Sequence, residues 1–557
     1  MANDSGLEDI GRRDHSVTRE YRIFGPPGTG KTTNLARQVR RAVDKYGRDM
    51  VLVTSFSRAA AAELTASDLP ISSNQIGTLH SHCFHALGAP EIAEANVGDW
   101  NRAHPDLQIT PAKKHRRLEG EEPMEEPGDN NQKSGEHLLQ QLNRYRGLTI
   151  DPSLWPTSVR DFERQWSRYK REMGLVDFTD MIEISLRDVA VAPGNPKVIF
   201  ADEAQDLNVM QLRLIRQWGE RAEYFILAGD DDQTIYSFAG ASPDAILDPQ
   251  IPDDHTIILT QSQRIPRAIH RLAEDVIHTV TRRKHKTYFP RSEDGSVHRL
   301  TAGSLKSTEY FILSSATKYL EQGKTIMFLA SCSYMVEPLI QVLRKNAIPF
   351  HNPYRKANGF WNQLLAGKHG TVRRIMALLV THLDPGEPSW AAGEIALWAE
   401  WLKTTVLQSD ALEWIQSYDQ KHRISIEHLD NFLEPGAFRS FRAAYARGDG
   451  ALLDWWVNRV RADVHDRIQF AADIVRRGGL ARLVETPQVV VGTVHSVKGG
   501  QADVVYLFPD LSQAGDANYQ RFGSSRDSVI RVFYVGITRA RETLYICQRE
   551  TARAISI

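Results

Sequence analysis

Cysteine is scarce in this chain. Cys83, Cys332 and Cys547 are the only three, they lie far apart, and no CxxC pair occurs. A disulfide framework and the ligand spacing of a zinc or iron–sulfur cluster are excluded on that count. Net charge is nearly absent as well, at -1. A nucleic acid would therefore have to be held by a local basic groove, because affinity for phosphate follows local rather than summed charge. No stretch approaches the ~20 apolar residues that span a bilayer. The opening MANDSGLEDIGRRDHSVTRE lacks the apolar core of a secretion signal. These absences lead us to expect a soluble, cytoplasmic protein with no membrane partner.

What the chain does have is length and alternation. Its 557 residues exceed what one hydrophobic core holds, which implies three or four domains. YRIF (21–24) reads as a buried strand, followed by a glycine-rich turn and a helical pattern from Lys31 to about Tyr46. MVLVTSF (50–56) is a second buried strand, with an alanine-rich helix after it. Such alternation gives a parallel α/β sheet covered on both faces. KVIFADEA (197–204), YFILAGDDD (224–232) and TIMFLASC (325–332) repeat the strand pattern, as do QVVVGTVHS (488–496) and DVVYLF (503–508). A helix near 531–543 closes the chain.

Two helical stretches interrupt the pattern. Residues 86–186 form one, with an exposed loop at RRLEGEEPMEEPGDNNQKSG (116–135). Residues 381–485 form the other. There Trp390, Trp398, Trp401, Trp414, Trp455 and Trp456 read as the core of a helical domain. The reading is a polar lead-in (1–20), a first α/β core (21–85 and 187–260) with insert 86–186, and a second core (261–380 and 486–557) with short insert 381–485. No internal repeat is recognised.

Gly25-Pro26-Pro27-Gly28-Thr29-Gly30-Lys31-Thr32 fits GxxxxGK[ST] between a strand and a helix. Its glycines let backbone N–H groups turn inward around phosphate oxygens, and the helix N-terminus adds partial positive charge. Lys31 is placed to reach the β and γ phosphates, and Thr32 to offer its hydroxyl to Mg²⁺. Asp202-Glu203 follows the apolar run VIFA. Two acids at a strand end are ordinarily a solvated turn. Beside a P-loop they read as a Mg²⁺-holding carboxylate and a base that activates water.

The segment Asp202-Glu203-Ala204-Gln205-Asp206 resembles the DExQD box of the UvrD/Rep family of superfamily 1 helicases, and further family motifs follow in order. SFSRAAAAEL (55–64), GTLHSHCFHAL (77–87), DFTDM (177–181) and GDDDQTIYSFAGA (229–241) are similar to its earlier motifs. QSQRIPRAI (261–269), GTVHSVKGGQAD (492–503) and RVFYVGITRARETL (531–544) are similar to its later ones. The resemblance implies two RecA-like cores, each interrupted by a mainly helical insert, and an ATP- and Mg²⁺-dependent motor moving 3′→5′ on DNA. It implies that Gln233 meets the γ-phosphate or its attacking water. It makes Arg264 and Arg539 a γ-phosphate clamp, with Arg539 as arginine finger, and puts Thr33 and Gln501 at the nucleotide. Phe56, Tyr236 and Phe238 take base-stacking positions, with Thr78, His80, Thr493 and His495 near the DNA backbone. Single-stranded DNA and single/double-strand junctions are the implied partners, with replication or repair proteins besides and a monomer in isolation.

Several positions depart from the family pattern. No LNxxQ element precedes the P-loop, Thr33 stands where arginine is common, and Gln263 replaces a tyrosine; relaxed base discrimination is expected. Phe238 stands for tryptophan, Ala239 for arginine, and Gln501 for a glutamate near the ribose. The segment beyond Leu544 holds neither a nuclease domain nor a long partner-binding tail. Two alternatives stay open: a translocase that strips proteins and unwinds weakly, and a non-catalytic DNA-binding subunit, against which Glu203 and Arg539 argue. A nucleotide kinase or small GTPase would share only the P-loop.

Overall fold

The computed structural model describes residues 20–56, 69–112, 134–300, 305–354, 370–379 and 388–557. The polar lead-in, the alanine-rich helix expected after Phe56 and nearly all of the loop at 116–135 lie outside the described residues. The rest divides into two compact units: Met1–Thr301, Ala330–Ser333 and Lys498–Ile557 in one, Ala302–Leu329 and Tyr334–Val497 in the other. Its strands make two six-stranded sheets and one two-stranded ribbon, an α/β architecture. No described helix is long and apolar enough to cross a membrane.

In the first unit, β1 (Glu20–Phe24), β2 (Val51–Ser55), β3 (Ile76–Thr78), β4 (Val198–Asp202), β5 (Tyr224–Gly229) and β6 (Thr256–Ile258) form a parallel sheet. Their order is β3-β2-β4-β5-β1-β6. The near-continuous apolar runs of β2, β4 and β5 suit strands covered on both faces. Val51, Val53, Val198 and Phe200 pack with Leu35 and Val39 of the helix Lys31–Tyr46. Their neighbours Leu52, Ile199 and Ala201 pack on the opposite face with Phe178 and Leu214. Because β4, β5 and β1 lie side by side, the turns that leave their C-terminal ends open next to one another, where α/β sheets bind ligands.

Residues between Ala93 and Tyr169 gather a core of their own, with Trp100 and Trp166 edge-to-face at 5.0 Å and Phe162 beside them. Asp177 of DFTDM fastens it to the sheet. It caps the helix Phe178–Asp188 and, fully buried, accepts hydrogen bonds from Arg146 at 3.1 Å, Trp166 at 3.0 Å and Lys170 at 2.5 Å. Burial opposes its charge, but Arg146 and Lys170 more than reverse that and hold the carboxyl far below the usual range.

The chain's end corrects one expectation. The helix placed near 531–543 runs Ser524–Ile537, and Ala540–Ile546 is a strand. Arg-Ala-Arg-Glu favours a helix locally, yet Leu544, Tyr545 and Ile546 are buried by sheet pairing. β7 (Ser296–Arg299) supplies a parallel neighbour to this strand on one side. The second unit holds β8 (Ile326–Ala330) up to Leu329, then β9 (Phe350–His351), the antiparallel ribbon of β10 (Ser389–Ala391) and β11 (Arg423–Ser425), and β12 (Val489–Thr493). β13 (Ala502–Leu507) and β14 (Ala540–Ile546) return to the first. The ribbon was not anticipated: each strand is three residues, too short to show a period. The tryptophans behave as core. Trp390, Trp398 and Trp456 are fully buried, Trp401 and Trp455 nearly so, and half-buried Trp414 packs 5.1 Å from Tyr418.

Candidate functional site

The turn after β1 is fixed before any ligand is considered. Gly25 N–H donates to Gly229 O at 2.9 Å, and Thr29 Oγ1 to Pro26 O at 2.8 Å. Gly28 has φ 75°, and a Cβ there would lie 2.5 Å from Arg264 Cβ, so only glycine fits. The segment 262–264 holds the loop from outside: Ser262 Oγ donates to Pro27 O at 2.9 Å and Gln263 N–H to Gly28 O at 2.8 Å. The helix Lys31–Tyr46 then starts behind left-handed Gly30 with no side-chain cap and no acid in its first turn. Its first N–H groups are thus left for an anion, and its dipole favours one.

Lys31 bonds Glu203 and lies 3.5 Å from Asp202. Burial works against its charge, but Glu203 and Asp202 outweigh that and raise its pKa. The two carboxyls part company. Burial, helped by the neighbouring Glu203, pushes Asp202 up to about 6. Glu203 is half-buried and desolvation opposes its charge, yet Lys31 and Lys498 hold it down at about 2. Glu203 takes a left-handed backbone with φ 52°, a strained conformation for a residue with a Cβ.

Four residues given no role from the sequence complete the network: Gln205, Asp206, Asp230 and Lys498. Gln205 Nε2 donates to Glu203 at 2.5 Å, and its Oε1 accepts from Asp230 N–H at 3.0 Å, tying the turn after β4 to that after β5. Lys498 bonds Asp206, donates to Gln233 O at 2.8 Å and lies 3.7 Å from Glu203. The signal for Lys498 was its place inside VHSVKGG. Gln233 Nε2 donates to Asp230 at 2.8 Å, and its Oε1 accepts from Arg539 Nη2 at 3.3 Å. Arg539 is 1% exposed, steadied by Val535 O at 2.9 Å and Gly500 O at 3.2 Å. Arg264 Nε donates to exposed Gln501 at 2.9 Å. Thr32 is half-buried at the helix start, while Thr33 and Gln263 are exposed. The residues read from the sequence as the nucleotide site, Gly25–Thr33, Asp202, Glu203, Gln233, Arg264, Gln501 and Arg539, all belong to the first unit.

Behind the turn after β5 lies a second cluster the sequence reading missed. Asp230, Asp231 and Asp232 are buried, and Lys286, itself buried, bonds Asp231 and lies 3.1 Å and 3.0 Å from the other two. Arg283 forks onto Asp232 at 2.8 Å and 2.6 Å. Only the acidic triplet announced it.

The expected nucleic-acid residues are less uniform. Phe56 and Tyr236 lie 5.4 Å apart, Tyr236 and Phe238 6.0 Å apart, forming one aromatic cluster. Tyr236 is 6% exposed, whereas Phe56 and Phe238 are only half-buried. Half-buried His80 meets the Phe178 ring edge-on at 6.2 Å, and burial lowers its pKa to about 4, leaving a neutral imidazole at pH 7. Thr493 and His495 are buried in the second unit. A short repeat had escaped notice: Gly-Thr-x-His-Ser stands at 77–81 and again at 492–496. In both copies the threonine hydroxyl accepts from the serine N–H, Ser81 to Thr78 and Ser496 to Thr493, at 3.2 Å.

Comparison with known proteins identifies the family. Residues 13–251 match the model described as UvrD/REP helicase N-terminal domain, and residues 488–547 that of the UvrD-like helicase C-terminal domain. The chain is 25% identical over 293 positions to the putative ATP-dependent DNA helicase YjcD of Bacillus subtilis (strain 168), covering 49% of this chain and 38% of that one. It is 25% identical over 366 positions to the probable DNA helicase II homolog of Mycoplasma capricolum, covering 60% and 50%. Against the ATP-dependent DNA helicase PcrA of Staphylococcus aureus (strain Mu50) it is 22% identical over 598 positions, covering 94% and 80%. It thus spans half or less of the first two relatives. With both domain models matched in order over more than half its length, the chain belongs to the UvrD/Rep helicase family.

Proposed function

We propose that the chain is an ATP-dependent DNA helicase that moves 3′→5′ along single strands and unwinds duplex, using ATP hydrolysed where the turns after β1, β4 and β5 meet. The observation that carries this reading is the hydrogen bond from Arg539 to Gln233, with Gln233 fixed to Asp230 and its carbonyl to Lys498. A guanidinium and an amide so joined can respond together to a γ-phosphate. In this reading Lys31 and the N–H groups of Gly28–Thr32 hold the β and γ phosphates. Glu203, kept ionised by Lys31 and Lys498, accepts a proton from the attacking water that Gln233 orients. Arg264 and Arg539 stabilise the charge that develops on the transferred group. Thr32 and Asp202 would hold Mg²⁺, which neutralises phosphate charge when bound.

The rest of the assignment goes with it: two RecA-like cores (21–85 with 187–260, and 261–380 with 486–557), inserts at 86–186 and 381–485, and single-stranded DNA and junctions as partners. Phe56, Tyr236 and Phe238 serve as the base-facing aromatics, with Thr78, His80, Thr493 and His495 along the backbone.

Steady-state ATP hydrolysis with and without single-stranded DNA tests the reading, with Lys31→Ala as blank. Strong stimulation by DNA that vanishes in Lys31→Ala is the expected result. Hydrolysis indifferent to nucleic acid would rule the motor out. A forked duplex with a 3′ or a 5′ tail then reads unwinding and direction.

A further inference from the structure

A cavity of about 580 Å³ opens in the first unit. Its walls come from the helix Ser134–Gly147 through Arg144, the segment after β5 through Phe238, Arg282, and the helices Gln513–Tyr519 and Ser524–Ile537 with the turn between them. That volume lies in the ~300–1,000 Å³ range of pockets that bury small organic ligands. Two acids reach it, and both are already engaged. Asp244 pairs with Arg282 at 2.8 Å. Asp527 accepts from the Thr281 hydroxyl at 2.7 Å and from the Thr281 and Arg282 amides at 3.1 Å. Arg282 also pairs with Asp248 at 2.6 Å. Arg144 and Arg521, both exposed and both lining the cavity, have no carboxylate partner among the described residues. Among the described residues the mouth therefore carries uncompensated positive charge, although the whole chain carries almost none.

Beside Arg521 stands Phe522. It is 91% exposed, the most exposed large hydrophobic side chain among the described residues. It sits in the turn between the helices Gln513–Tyr519 and Ser524–Ile537, where Gly523 has φ 78°. Arg526, on the far side of that turn, lies 4.6 Å over the Tyr519 ring. An apolar ring held out in water costs free energy and repays none of it by packing. Alternating arginine and aromatic residues on a glycine–serine turn match what a single strand needs, cations for phosphates and a π-face for a base.

We propose that this turn and the cavity it borders form a further contact for a single strand of nucleic acid, in which Phe522 stacks on a base while Arg521 and Arg144 meet the flanking phosphates. The contact continues from Phe238 and rests on the reading of the chain as a DNA motor. A protein partner fits less well. Its interface would bury an apolar centre of hundreds of square ångströms, whereas this lining mixes Leu148, Phe238, Ala241, Pro243 and Ala514 with arginine, aspartate and serine.

The test is binding of a dye-labelled oligothymidylate of about 20 nucleotides, long enough for one site, to the full chain at several salt concentrations, read by fluorescence anisotropy. Phe522→Ala weakens binding by roughly 5- to 100-fold at fixed salt, the worth of one stacked base, and leaves the salt dependence alone. Phe522→Trp restores the affinity. Arg144→Ala and Arg521→Ala each flatten the slope of log K against log salt by about 0.7, one single-strand phosphate contact. Phe522→Ala keeps the wild-type melting temperature, and an affinity loss accompanied by a lowered one would count against stacking. Binding by Phe522→Ala within twofold of wild type, or an unchanged slope in both arginine variants, overturns the proposal while leaving the motor intact. Failure of the wild-type chain to bind the oligonucleotide at any salt overturns both.

Discussion

At the phosphate end of the candidate site, charge is answered by charge in a buried setting. Lys31 meets Glu203 and Asp202, Lys498 meets Asp206, and Arg539 reaches Gln233. At the end assigned to the base, Thr33, Gln263 and Gln501 are exposed, and Arg264 donates to Gln501 at 2.9 Å. The difference teaches where this site can discriminate. Dipoles and ions fixed out of water act on developing charge without reorganising, whereas exposed contacts compete with solvent and are worth little. On the proposed reading, chemistry on phosphates is built in and choice of base is not.

The largest effects should come from breaking the phosphate end. Lys31→Ala abolishes hydrolysis. Arg539→Ala lowers kcat under saturating single-stranded DNA by about 10³- to 10⁵-fold, as loss of an arginine finger does. Arg539→Lys does not rescue it, because three nitrogens of this guanidinium bond at once, to Val535, Gly500, and Gln233 with Thr538, and an ammonium cannot reproduce that fork. A kcat for Arg539→Ala within tenfold of wild type would remove the finger from the mechanism.

Next in size is a stability effect behind the same end. Lys286→Met leaves Asp230 and Asp231 buried beside a side chain that cannot answer them, and breaking such a cluster costs about 3–5 kcal/mol. Denaturant unfolding should show that loss, against about 0.5 kcal/mol or less for Gln501→Ala at the exposed end. Equal losses in the two variants would erase the contrast.

Much of this was legible beforehand because it is local. β1, β2, β4 and β5 are apolar runs with turn signals, and the P-loop and acid turn sit at their ends, so periodicity and spacing sufficed. Lys498, Gln205 and Lys286 were not legible in the same way. Each acts on a residue distant in the chain or through a backbone turn, and nothing in a lysine or glutamine marks it as buried. Tertiary pairing also hid β14, whose Ala-Arg-Glu start reads as helix until Leu544–Ile546 find β13. The Gly-Thr-x-His-Ser repeat was in plain view; five residues at a spacing of hundreds do not register as a period. Thr78 shows two uses of one hydroxyl: it accepts from Ser81 N–H to cap the helix Leu79–Ala86, which leaves its O–H to donate.

The smallest effects belong to the base end. ATP and GTP should differ by less than tenfold in kcat/KM, which is under about 1.4 kcal/mol. A base is rejected strongly only where buried polar groups would be left unpaired by the wrong edge. Thr33, Gln263 and Gln501 are in water, so a mismatched edge strands nothing. Restoring walls sharpens the point. Thr33→Arg with Gln263→Tyr supplies a cation and a ring that can sandwich a purine, worth about 0.5–1 kcal/mol at an exposed site. Stacking does not distinguish adenine from guanine, so KM should fall about two- to fivefold for both nucleotides while their ratio holds. If the ratio instead moves tenfold toward ATP, an edge contact already exists at this end and the site reads its base after all.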